Sequence, residues 1–551
     1  MKEKMNGAQA FFKTLVEGGI DTIFCTPGTS EMQVVDEMGY SDLKCIMALH
    51  ENTVTGMADG YGRMLRRPAL ALVHVGAGLT NSMSSMHGAR RALAPMVVYS
   101  GHVAPYHESN NPVHIMKKRS PDIAGATADW IYEVKSGDDL AQAAARAVEE
   151  ANYGGGQVAM VYAPNCYAWA DASLMSVPQT IQETKRKVAS STINEIAEAI
   201  KEANKAGKKT AFILGASAGM GDELEAAGRI AEGAGGTLFQ EHFATGRLHK
   251  GAGRVKVSGI PYEAADGKKL FSEYAQLVLI GGQIPVAEFS YKGKDLKKIT
   301  EDTIVMTLAR PDNDMLQAMK DLADAIGAPK TASNRYEKAD VDAPTGVLTA
   351  ASIEQTLTAL MPADSIVVDD GVLSTLNFRE NTEGAEPFDL LPAATGGQIG
   401  SGVPIAAGAA VACPDRKVIL LSGDYTLMQG NSALWNLASQ NLDVLVVNYN
   451  NGGSAALEME LARVRRGDAQ DKSLDMVHIR KPHIEYDKMA ESMGVPTSVA
   501  NTTEEFHTQF ADAMKTKGPH FIDAKVESMA PMMVAMMRQA YEAEQMKKEN
   551  S

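Results

Sequence analysis

The 551-residue chain is short of cysteine, of positive charge and of long apolar runs, and each shortage removes a class of function. Its four cysteines, Cys25, Cys45, Cys166 and Cys413, stand far apart, with no CxxC pair or Cys/His cluster able to hold zinc. They read as reduced, buried packing residues. A formal net charge of −15 repels nucleic-acid phosphates and anionic lipid, so neither nucleic acid nor membrane is an expected partner. No stretch approaches the roughly 20 apolar residues of a membrane span. The opening MKEKMNGAQAFFKTLVEGG mixes charge with apolar residues at helical spacing and lacks the continuous apolar core of a signal peptide. A cytoplasmic protein acting on a small molecule is the expectation.

What is present is a balance of 45% hydrophobic and 22% charged residues, enough to bury sizeable cores. At roughly 100–200 residues per domain, the length suggests about three. Short apolar strands alternate with helix-like segments: DTIFCTPG, KCIMALHE, ALALVHVGAG, PMVVYSGH and QVAMVYAP in a first unit, residues 1–180. After the basic stretch QETKRKVASS come TAFILGAS, GTLFQEHF, LVLIGGQI and TIVMTLAR, in a second unit, 190–335. The pattern fades in TASNRYEKADVDAPTG, a linker at 331–346, and a third unit, 345–551, carries SIVVDDG, KVILLSGD, DVLVVNYNN and GPHFIDAKVE. The fold class is α/β, with three consecutive doubly wound parallel-sheet domains. GASAGMG, from Gly215 to Gly221, has the glycines of a dinucleotide loop, but no clear acidic ribose partner follows and a tight turn accounts for it.

Ligands in open α/β sheets sit at the carboxyl ends of strands, so those ends matter most. In the third unit the strand KVILLSGD delivers Asp424, and 27 positions later DVLVVNYNN delivers Asn450 and Asn451, then Gly452 and Gly453. A carboxylate, an amide oxygen and a carbonyl suit a hard cation such as Mg²⁺. The glycines allow close backbone approach to a diphosphate, and a helix start there supplies N–H donors.

The segment SGDYTLMQGNSALWNLASQNLDVLVVNYNN resembles the motif of thiamine-diphosphate enzymes, Gly-Asp-Gly followed some 25–30 residues later by Asn-Asn. The resemblance implies Asp424 and Asn451 as metal ligands, with the Gly453 carbonyl completing the set and Gly423 beside them. Tyr425 stands where the family usually has glycine, against the diphosphate. LHE-x(6)-ADGYGR is similar to the family's amino-terminal, pyrimidine-binding domain, which makes Glu51 the carboxyl that contacts the aminopyrimidine and tunes it as a base. In LLPAATGGQIGSGVPIAAGAA, Ile399 is implied as the apolar wedge that bends the cofactor, and the Gly397 carbonyl as acceptor of its exocyclic amine. Ser374 and Thr375, in VVDDGVLSTLN, are further candidates for the diphosphate. The likeness spans the chain in the domain order of acetolactate synthases and 2-oxo-acid decarboxylases: pyrimidine-binding, central, diphosphate-binding. In that family the cofactor lies between the first domain of one subunit and the third of another, which implies a homodimer or homotetramer.

His74, 23 positions after Glu51 at a strand end, is similar to a proton-transferring histidine of benzoylformate decarboxylase, and Thr29 in FCTPGTSE to its substrate-contacting serine. The openings of the first unit look like acetolactate synthase large-subunit homologues. The resemblance therefore implies a decarboxylase or carboligase of 2-oxo acids, benzoylformate decarboxylase-like. A pyruvate-using carboligase of the acetolactate synthase type and a non-catalytic metabolite-binding homologue are the alternatives. His50, His102, His107 and His114 read as surface or packing residues. The methionines at 529, 532, 533, 536 and 537 form either a lid over the site or ordinary packing.

Overall fold

Continuous apolar runs form the strands, because strands covered by helices on both faces have no wet side to make polar. A computed structural model describes residues 5–113, 120–172, 185–240, 243, 245–465, 471–536 and 539. It contains three parallel sheets. The first is ordered Lys44–Met47, Thr22–Thr26, Leu70–Val73, Met96–His102, Val158–Pro164, Trp130–Glu133. The second runs Ser258–Gly259, Thr237–Gln240, Lys209–Leu214, Tyr274–Ile280, Ile304–Ala309. In the third, Ser365–Asp370, Val418–Gly423, Val444–Asn450, His520–Lys525 and Thr497–Ala500 pair in parallel in that order. The α/β class with parallel sheets in three domains is what the sequence pattern implied.

All thirteen strands expected from apolar runs are present, and residues 331–346 hold no helix or strand. By contacts the chain forms two compact units: Met1–Glu337 with Asp389–Gln398, and Lys338–Phe388 with Ile399–Ser551. On one face of the first sheet Phe11, Leu15, Leu72, Val97, Ala144 and Val161 form a dry core. Leu72 and Val161 are wholly buried there, each stabilising the fold by roughly 1.5–3 kcal/mol. The cysteine expectation needs correction: Cys25 and Cys166 are buried, but Cys45 is exposed and Cys413 intermediate. Cys45 belongs to Lys44–Met47, an edge strand with residues open to water.

Candidate functional site

In the first unit the polar side chains gather where parallel strands end. The helix Glu51–Leu65 begins directly after the strand Lys44–Met47; its N-cap is His50, whose Nδ1 accepts from the Asn52 N–H at 3.1 Å. Glu51 thus occupies the first turn, half-buried, and its Oε2 accepts from Asn81 Nδ2 at 3.1 Å. His74 follows the strand Leu70–Val73 and stands 2.8 Å from Glu31 Oε2 through Nδ1. The His74 side chain is 29% exposed, whereas that of Glu31 is 0% exposed. A buried carboxylate bonded to one imidazole nitrogen fixes the tautomer and leaves the other nitrogen free for proton transfer.

Two glycines make this convergence possible. A Cβ on Gly28 would fall 1.8 Å from His74 Nδ1, and one on Gly78 would lie 2.8 Å from Glu51 Oε1 and 2.7 Å from His74 Cβ. Glu51 and His74 therefore back onto the same glycine. The turn after Thr22–Thr26 brings Thr29 next to Gly28, with its side chain exposed. Gly28 N–H and Ser30 Oγ also donate to Glu31, at 2.9 and 3.0 Å. Glu31 escaped the sequence reading; its only signal was a carboxylate two residues beyond Thr29, and its partner lies 43 positions away. Burial pushes the Cys25 thiol up to about 12, which removes it as a nucleophile. The other histidines keep local partners: His102 meets Glu108 at 2.8 Å and His107 meets Asn110 at 3.0 Å, while His114 lies outside the described residues.

The second unit builds its cluster largely from main chain. Asp424 opens the helix Asp424–Gly430 directly after the strand Val418–Gly423 and is 0% exposed. Its Oδ2 accepts from the N–H groups of Asn451, at 3.1 Å, and Gly452, at 2.5 Å. Burial raises its carboxyl to about 6, against the opposing pull of the Gly452, Tyr425, Asn451 and Gly453 amides. Asp424 Oδ1 is buried and has no hydrogen-bond partner among the described residues. An orphaned carboxylate oxygen of this kind is costly unless a cation takes it, so the donor set fits a hard divalent ion. Asn451 Nδ2 donates to Ser374 Oγ at 3.3 Å, a bond that does not engage its amide oxygen. Asn450, by contrast, turns to Asp523 at 3.1 Å.

Other expected residues divide. Tyr425 is half-buried in the first turn after Asp424, and Gly423 is half-buried at the strand end. Thr375 commits its hydroxyl to Asp369 Oδ1 at 2.6 Å, away from Asn451's partner Ser374. Gly397 is exposed at φ +79°, with open space around it, and groups with the first unit. Ile399, two residues on, is half-buried in the second. In the central sheet the Gly215 turn packs against Gly281 and Gly282. Among the described residues no helix is long and apolar enough to cross a membrane.

Residues 5–122 match the family model described as thiamine pyrophosphate enzyme, N-terminal TPP binding domain, and residues 374–524 that of the C-terminal TPP binding domain. The chain is 36% identical over 527 residues to IlvX of Mycobacterium tuberculosis, named after the acetolactate synthase large subunit, covering 95% of this chain and 100% of that protein. It is 24% identical over 550 residues to benzoylformate decarboxylase of Pseudomonas aeruginosa, across 95% and 99% of the two chains. Among solved structures, the thiamine diphosphate-dependent 4-hydroxybenzoylformate decarboxylase of Rhodococcus jostii has a TM-score of 0.80 at 20% identity, covering 96% and 100%. Benzoylformate decarboxylase from Polynucleobacter necessarius gives 0.82 at 18%, covering 95% and 99%. These two share the fold.

Proposed function

Because the chain belongs to the thiamine pyrophosphate enzyme family, of the acetolactate synthase and benzoylformate decarboxylase type, we propose that it is a thiamine diphosphate- and Mg²⁺-dependent non-oxidative decarboxylase of 2-oxo acids. The observation that carries this reading is the Glu31–His74 pair set against the same glycine as Glu51. When bound, thiamine diphosphate supplies the nucleophilic carbon and the electron sink for breaking or making a bond beside a carbonyl.

The chain's own residues do the rest. Asp424, Asn451 and the Gly453 carbonyl hold Mg²⁺, and Ser374 with the amides around Gly423 and Tyr425 addresses the diphosphate. Glu51, steadied by Asn81, bonds the aminopyrimidine and shifts its proton balance. The Gly397 carbonyl would accept the exocyclic amine, Ile399 would pack against the cofactor, and Thr375 supports the Ser374 turn through Asp369. Thr29 orients the substrate carboxylate at the exposed turn. His74, its Nδ1 held by Glu31, moves a proton at Nε2, so that protonation rather than capture by a second carbonyl ends the cycle and an aldehyde leaves. In this reading residues 1–180, 190–335 and 345–551 are the pyrimidine-binding, central and diphosphate-binding domains of a cytoplasmic homodimer or homotetramer.

The 36% identity to a protein named for acetolactate synthase favours a second reading, condensation onto an acceptor to give a 2-hydroxy ketone. Calorimetric titration with thiamine diphosphate, with and without Mg²⁺, on wild type and Asp424→Ala, tests the cofactor. Assays with benzoylformate and pyruvate then separate the reactions: CO₂ with free aldehyde supports the decarboxylase, and a condensation product the carboligase. Absence of binding under every condition would sink both and leave a non-catalytic homologue with Tyr425 as its mark.

A further inference from the structure

The segment leading to Gly397 is held by several side-chain hydrogen bonds, and two of them come from one buried arginine. Arg63, in the last turn of the helix Glu51–Leu65, is 2% exposed. Its Nε and Nη2 each bond Asp59 at 2.6 Å, a bidentate pair on one helix face. That pairing leaves Nη1 to donate to the Pro392 carbonyl at 2.6 Å, while Nη2 also reaches Thr395 Oγ1 at 3.0 Å. Thr395 passes the tie onward, donating to the Gly88 carbonyl at 3.1 Å on the neighbouring helix Ala77–Arg91. From that helix His87 Nε2 lies 3.1 Å from the Gly396 carbonyl, and Ser85 Oγ accepts from Gln398 Nε2 at 3.2 Å. A Cβ on Gly88 would sit 2.2 Å from Gln398 Oε1, so the close approach requires glycine there.

Arg63 and Glu51 thus occupy opposite ends of one rigid 15-residue helix. We propose that Arg63, presented by Asp59, is a positioning residue for the cofactor: through Pro392 and Thr395 it fixes the segment whose next members are Gly396 and Gly397. This rests on the reading of Gly397 as acceptor for the aminopyrimidine amine. A planar guanidinium suits the task, since a carbonyl, a hydroxyl and a carboxylate must be met at fixed angles, which a lysine ammonium cannot do.

The consequence is a division of labour that binding can resolve. The aminopyrimidine end of the cofactor depends on the Arg63 tie, while the diphosphate end depends on Asp424, Asn451 and Ser374. The test compares thiamine diphosphate with inorganic pyrophosphate, both with Mg²⁺, by calorimetry on wild type, Arg63→Lys and Thr395→Val, with thermal unfolding of each apoprotein alongside. Thr395→Val removes one hydroxyl of a buried chain and keeps the charge pair, so it remains informative where Arg63→Lys fails to fold. The expected result is thiamine diphosphate affinity lowered about tenfold in Thr395→Val, and more in Arg63→Lys, with pyrophosphate affinity unchanged. Equal losses on both probes, or no loss on either, would overturn the proposal. A wild type that binds pyrophosphate but not thiamine diphosphate would bring down the functional reading and this one together; a normal wild type with unaffected variants brings down this one alone.

Discussion

The two strand-end clusters solve different problems with different materials. In the first unit the candidate reactive groups are side chains: Glu51 half-buried, His74 partly open to solvent, and both bonded by other side chains, Asn81 and the buried Glu31. In the second unit a wholly buried carboxylate is gripped by main-chain amides and keeps one oxygen without a partner among the described residues. In the proposed reading the contrast separates proton handling from ion holding. Proton transfer needs groups that can reach substrate and water, whereas a hard cation needs fixed oxygens in a dry, shaped place.

The largest effect expected from breaking this contrast is Glu51→Gln, which lowers turnover by roughly 10²–10⁴-fold while cofactor affinity changes only a few-fold. Steady-state rates and calorimetry on the same preparation check it, and comparable losses in both quantities would erase the distinction drawn above. Asp424→Asn is the converse: affinity for thiamine diphosphate with Mg²⁺ falls about 100-fold, because the charge that takes the cation is gone. If binding survives in Asp424→Asn, the ion is held elsewhere. Gly28→Ala comes next, since its methyl would overlap His74 Nδ1; turnover drops about tenfold to a hundredfold with cofactor affinity intact.

The smallest effect concerns acid–base balance in the second unit. Burial raises Asp370 and Glu354, each to about 7, above the ordinary carboxylate range. These two groups therefore bind more protons in the folded apoprotein than in the unfolded chain between about pH 4 and 7, so the stability they contribute declines as pH rises through that window. Asp370→Asn removes one of these groups and reduces the decline of the unfolding temperature across the window by roughly a few degrees. An unchanged slope would show that Asp370 does not titrate there.

Much of this was legible in the residues, and unevenly. Buried parallel strands announce themselves as apolar runs, but Phe388–Pro392, Trp130–Glu133 and Thr497–Ala500 were missed. The last two lie at sheet edges, are mostly half-buried and span only four residues each, too short to stand out as apolar runs. The second unit's cluster has a spacing signature because its parts come from two neighbouring strands, Val418–Gly423 and Val444–Asn450, joined by one crossover. The first unit's cluster has none. Glu31 meets His74 only after the turn beyond Thr26 folds under the adjacent strand, and Arg63 meets Thr395 across 332 positions. Resemblance supplied Glu51 and His74; their positioners are visible only in three dimensions.

The grouping of Asp389–Gln398 with the first unit bears on how the protein can be taken apart. A fragment beginning near residue 345 would contain those ten residues yet lack Arg63, Gly88 and Arg247, whose bonds to Pro392, Thr395 and Asp389 order them. Modules exchanged between relatives at that linker would carry one end of the belt without its buckle, so productive chimeras should transplant Arg63, Gly88 and the 389–398 stretch as a set.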